Sequence, residues 1–270
     1  MKFWASFLFA PLLVVVAPQG GAQQTASHSV SASQLAPRTV AEQYLFQAAN
    51  AERQQRGLPL LHWDAALYKA AEAHAEQMLA RQSISHQYEG EPSLTERGEL
   101  AGAKFSVIAE NVAMAPTAVR IHDAWMHSPG HRANLLNGNV DAVAIRVLES
   151  HGELYAVEDF EKSVVETTLP EQELRIGQDI LQQAGGAVAL AADGSAEQVA
   201  ARQSCGMTSG YAGDHRPLLV LRFTTVDLQT LPEALNTALA SGKYREAAVG
   251  ACTLQSRQAF TAFQLAVLLF

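Results

Sequence analysis

Six side chains, Leu67, Ala70, Ala71, His74, Ala75 and Met78, recur at the spacing of one helix face, with Glu72 and Glu76 on the opposite face. Three alanines in that stripe leave little bulk, so this helix packs close against its neighbour. Asp64 stands where an N-cap receives the first free amides. An earlier run from Val40 to Arg56 spaces Leu45, Ala48 and Ala49 helically, and Gly57 with Pro59 ends it. The chain therefore opens its folded part with two amphipathic helices, and the residues after them must supply the surface they cover.

That surface is a small sheet. Ser83 to Leu100 mixes Gly90, Pro92 and charges and reads as a loop carrying a short helix at Leu94 to Ala101. Ala118 to Met126 is helical. Ser128-Pro129-Gly130-His131 has the form of a helix start, with Ser as N-cap and Pro at the first helical position. Val140 to Val147 and Leu154 to Val157 then read as antiparallel strands about the turn Ser150-His151-Gly152. Helices around a small sheet imply an α+β chain with an α-β-α sandwich over 40–160. Past Phe160 the composition shifts: 161–173 is polar and reads as a linker. A smaller α+β C-terminal domain is expected at 174–270, with a helix at Leu174 to Gln183, a strand at Leu218 to Thr224, a helix at Leu231 to Ala240 and a buried terminal strand. This half resembles no family.

Met1-Lys2 precedes an apolar run from Phe3 to Ala17 and a small-residue exit. That is the plan of a secretory signal peptide over 1–23, cut near Ala22 or Gln23. The alternative is a retained anchor, but the run falls short of the ~20 residues a spanning helix wants. Residues 24–39, rich in Ser, Ala and Gln, read as a disordered leader. A secreted or periplasmic location is expected, with no transmembrane segment after cleavage. Net charge is −8 without a Lys/Arg cluster, so nucleic acid is excluded as a partner. The two cysteines, Cys205 and Cys252, meet an oxidising compartment and are expected to pair, which stabilises by roughly 4 kcal/mol on the loop-entropy view; two buried free thiols are the alternative.

The residues with chemistry form a dispersed set: His86, then Glu110-Asn111, then Ser128 and His131. Two imidazoles and one carboxylate offer three ligands at most, and zinc with three ligands and a water is the open, reactive kind of site. No His-Glu-x-x-His supports that locally. The plainer readings are a structural tie of His86 and His131 to Glu110, loop amides held by Glu110, a turn capped by Asn111, an N-cap at Ser128, and packing for His74 and Trp125.

The ordered motifs resemble the CAP superfamily, also called SCP or PR-1-like, in its bacterial form. Asn50, Arg53, Gly57-Leu58-Pro59, Leu61 and Trp63-Asp64 match its opening, and Leu67, Ala71, Ala75 and Met78 its second helix. His86, Glu110-Asn111-Val112, Trp125, Ser128-Pro129-Gly130-His131-Arg132, Asn134-Leu135-Leu136 and Asp159-Phe160 come next in family order. The resemblance implies a cavity lined by His86, Glu110, Asn111, Ser128 and His131. In some members two His and two Glu hold a divalent metal, often zinc; here His86 and His131, with Glu110 nearby, would be its ligands. The second glutamate falls at Ser128, and this departure weakens any scheme needing paired carboxylates. The implied role is binding of a lipid, a cell-envelope component or a protein partner; the alternative is a zinc-dependent, protease-like hydrolase.

Overall fold

The computed structural model describes residues 36–254 and 260–270. The expected signal peptide and most of the expected leader lie outside the described residues.

α1 (Val40–Gln55) starts at Thr39, whose side chain and that of Glu42 cap each other's backbone amides reciprocally. A two-residue strand, β1 (His62–Trp63), leads into α2 (Ala65–Arg81), where Asp64 accepts from the Leu67 amide at 2.6 Å. The six-residue stripe is buried as expected. α3 (Leu94–Ala101) repeats the reciprocal cap with Ser93 and Glu96. β2 (Phe105–Ala115) is next, then α4 (Ala118–His127) and α5 (Pro129–Leu135). β3 (Ala142–Ser150) and β4 (Glu153–Ser163) form a hairpin whose two turn residues, His151 and Gly152, both have positive φ (54° and 81°). That geometry matches the twist of the flanking strands. The sheet order is β1-β3-β4-β2, so β2 is an edge strand. α2 and α3 pack on one face, α1, α4 and α5 on the other. Leu45, Leu67, Trp125 and Phe160 sit in this core.

The polar stretch expected as a linker is mostly structured. β4 runs to Ser163, α6 (Leu169–Gln183) begins behind a Thr168–Glu171 capping box, and the Val164 amide donates to the Lys104 carbonyl at 2.7 Å. Then come β5 (Ala189–Leu190), α7 (Ala196–Cys205), β6 (Leu219–Thr225), α8 (Glu233–Ala240), β7 (Glu246–Cys252) and β8 (Phe263–Leu269). Their sheet is ordered β5-β7-β8-β6. Cys205 and Cys252 are disulfide-bonded, tying α7 to β7 with a Cα–Cα distance of 5.9 Å. The two halves touch where the Thr261 amide donates to the Phe105 carbonyl and the Phe105 and Phe260 rings meet edge to face.

Candidate functional site

Successive residues of a strand point to opposite faces, and on β2 this splits Glu110 from Asn111. Glu110 lies under α2 and α3. Its Oε1 meets His86 Nδ1 at 2.9 Å and its Oε2 takes an ion pair from Arg97 of α3. His74 of α2 approaches Oε2 at 3.8 Å and has its own partners, Glu91 Oε1 on Nδ1 and the Ser85 carbonyl on Nε2, both at 2.7 Å. Arg97 also donates to the carbonyls of His86 and Pro92, each at 3.3 Å, which fixes the loop carrying His86. Asn111 lies on the other face, beneath α5. Its side-chain amide donates to the His131 carbonyl at 3.1 Å and to Glu158 Oε2 at 3.0 Å. Asn134 returns from α5 to the Glu110 carbonyl and to Asn111 Oδ1.

The two faces meet at the sheet edge, where the His86 and His131 rings lie 6.3 Å apart between centroids. The His86 side chain is 61% exposed, while the Glu110 side chain beneath it is only 2% exposed. The rings differ electrostatically. The hydrogen bond to Glu110 raises the His86 pKa. Burial, then the neighbouring His86, lower that of His131. The mouth thus offers an imidazole biased toward donating beside one biased toward accepting, a pair able to hold a polar group between them.

Two more carboxyls lie under the site. Asp159 pairs in register with Glu110, and Glu158 with Asn111. Both are fully buried. Neither oxygen of Asp159, nor Glu158 Oε1, has a hydrogen-bond partner. Burial pushes Glu158 up to about 8, and burial with the adjacent Glu110 charge carries Asp159 well above its ordinary value.

Of the sequence-derived set, His86, Glu110, Asn111 and His131 are brought together at this edge. Three expectations need correction. Ser128 occupies the N-cap position ahead of Pro129, but its side chain makes no capping hydrogen bond. His74, expected as packing, belongs to the polar network around Glu110. Zinc does not fit: among the described residues no three His, Cys, Asp or Glu side chains converge to hold a metal. The physical reason is occupancy of the carboxylate, since one Glu110 oxygen is taken by His86 Nδ1 and the other by Arg97, so two imidazoles meet at the edge with no free carboxylate beside them. Glu91, in the loop, and Arg97, on α3, left no sequence signal beyond lying in a charged segment. His74 and Glu158-Asp159 did leave one, as polar residues inside otherwise apolar stretches.

Residues 46–160 match the model of the family described as Cysteine-rich secretory protein family, CAP. This segment is a CAP domain. Its curated relatives include the Bacillus subtilis "Uncharacterized protein YkwD", 33% identical over 118 residues, which cover 43% of this chain and 46% of the relative. Another, the Bacillus subtilis "Uncharacterized membrane protein YlbC", is 31% identical over 114 residues, covering 41% and 32%. The chain thus spans less than half the length of either. A solved extracellular SCP-domain protein from Bacillus anthracis is 25% identical, with 47% of this chain and 45% of that one covered at a TM-score of 0.43. The match ends at residue 160, within β4, so the second sheet lies outside it. No helix among the described residues is long and apolar enough to cross a membrane.

Proposed function

We propose that the CAP domain binds a polar group of a lipid, a cell-envelope component or a protein partner at the His86–Glu110–His131 mouth, outside the cytoplasm. The observation that carries this is the contrast between an exposed imidazole and the buried acid that aims it. A half-free donor on a rigid support is preorganised for recognition. Catalysis by an acid/base pair would need a second carboxylate at the mouth; the position where the family resemblance implies one holds Ser128, and Glu158 and Asp159 lie fully buried below. The Phe3–Ala17 run supports export.

The test is retention of the full chain on purified cell-wall sacculi and on phosphatidylglycerol/phosphatidylethanolamine vesicles. Wild-type protein should bind one of them, and His86→Ala or His131→Ala should weaken that binding at least about tenfold, the scale of one lost charge-assisted contact. Equal binding by all three proteins, or none by the wild type, would sink the proposal.

A further inference from the structure

The second sheet is a second copy of the first. Orders β1-β3-β4-β2 and β5-β7-β8-β6 correspond strand for strand, with the same parallel two-residue pair at one edge and the same antiparallel pairs elsewhere. The registers also superpose. Val143–Phe160–Ala109 form one rung across the first sheet, and Ala247–Leu269–Leu219 form the matching rung of the second. Helix placement repeats too, since α1 and α6 each send a carboxylate to the same strand position. Glu42 Oε1 accepts from the Val147 amide at 3.2 Å, four residues past that rung, and Glu173 Oε1 from the Ala251 amide at 3.1 Å, also four past. Each carboxylate takes a further bond from the next helix, from Tyr68 of α2 or Gln198 of α7. Each is paired with an arginine as well, Arg146 from the strand in one copy and Arg202 from the helix in the other.

This repetition is an internal control on which polar residues the fold itself requires. The clamp to the backbone is present in both copies. The polar site is not. Counting along the shared rungs, Glu110 corresponds to Val220, Asn111 to Leu221, Glu158 to Val267 and Asp159 to Leu268. Faces correspond as well: Val220 and Leu268 pack with Cys205 of α7, while Val267 packs with Ile176 of α6. The same ladder is therefore built with aliphatic side chains where the CAP domain buries carboxyls of which three oxygens, Glu158 Oε1 and both of Asp159, lack hydrogen-bond partners. Burying such groups is unfavourable.

We infer that Glu158 and Asp159 serve the site and not the fold: they are positioning residues, Asp159 for Glu110 and, through Asn111, Glu158 for His131. The inference rests on the reading of the His86–Glu110–His131 mouth as a ligand site. Asp159 stands beside Glu110 across the β2–β4 pair, and its oxygens hold no donor that its removal would orphan. Glu158 holds the Asn111 amide that reaches the first turn of α5. The second copy has no counterpart of α3 or α5, the 206–218 loop takes the place of the segment that bears His86, and there the positions of Glu158 and Asp159 are apolar.

The full chain can test this with the second copy's own residues, Glu158→Val and Asp159→Leu, read by thermal melting and by the imidazole 15N signals of His86 and His131. Both variants should melt no lower than the wild type. Asp159→Leu should displace the His86 Nδ1 signal and Glu158→Val the His131 signals. Glu158→Gln, which keeps an acceptor for Asn111, should restore the latter. Failure to fold, melting several degrees lower, or unchanged imidazole signals would overturn the inference. The spectra need no ligand, so an absence of envelope binding by the wild type would remove only the proposed ligand.

Discussion

The two sheets share order, register and helix placement, yet one interior is threaded with charge and the other is aliphatic. The comparison separates two demands that a single fold usually confounds. Apolar burial, one carboxylate clamp and one disulfide accompany this topology in the second sheet, which holds little else inside. Everything polar in the first sheet beyond that clamp is carried against the hydrophobic effect. The two halves also close themselves by different devices. The first uses the buried guanidinium of Arg53, which donates to the carbonyls of Pro59, Leu135, Asn137 and Val140. The second uses the Cys205–Cys252 disulfide.

The largest effect should come from breaking the first device. Arg53→Ala leaves four carbonyls without their donor and opens a void at a fully buried position, a loss of about 4 kcal/mol. Denaturant unfolding should show it, and hydrogen exchange should place it: amides of β2, β3 and β4 lose protection first. Arg53→Lys should rescue little, since an ammonium lacks the planar fork that spans four acceptors. Equal loss of protection in β7 and β8 would mean that the halves unfold as one body and that the two devices are not separate.

Opening the second device reverses the pattern on a smaller scale. Cys205→Ser with Cys252→Ser frees a loop spanning 47 positions and should cost at most the roughly 4 kcal/mol of the loop-entropy view. Protection should fall in α7, β7 and β8 while the His86 and His131 signals stay in place. A disturbed imidazole spectrum would show that the disulfide supports the site as well.

Sequence reasoning reaches the two halves unequally, and the reasons are physical. The helices of the CAP domain carry strong periodicity and caps, so α2 and α3 are legible nearly to the residue. β2 is not, because Glu110-Asn111 interrupts its apolar pattern at the very point where the site is built. The meeting of His86 with His131 is legible only through the order of the family motifs, as no local spacing encodes it. In the second half α7 and β7 leave little signal. α7 buries mostly small side chains, and β7 is Ala- and Gly-rich, a poor strand pattern. Its glycine has a packing reason: a Cβ on Gly250 would lie 2.2 Å from the carbonyl carbon of Ala201, so α7 seats against bare backbone there.

The smallest effect separates the halves by pH. Glu158 is pushed up to about 8 and Glu161 to about 7, both chiefly by burial, and both belong to the first sheet. A carboxyl whose pKa is higher folded than unfolded favours the folded state while it keeps its proton. That contribution is complete below the unfolded value near 4.5 and is lost as pH rises through the folded one. His131 and His122, lowered by burial, act in the opposite sense, but only up to their ordinary value of 6.5. The window from pH 6.5 to 8 is therefore governed by the raised carboxyls together with His86, which its hydrogen bond to Glu110 also raises and which acts in the same sense, and the first sheet should lose at least about 2 kcal/mol across it. Glu158→Val should flatten that decline, and the protection of β7 and β8 should barely change. A decline of the same size in the variant would mean that Glu158 is already ionised in the folded protein, with Asn111 compensating its charge. The pH response of the first sheet would then rest on Glu161 and Asp159, and Glu158 would add nothing to the contrast.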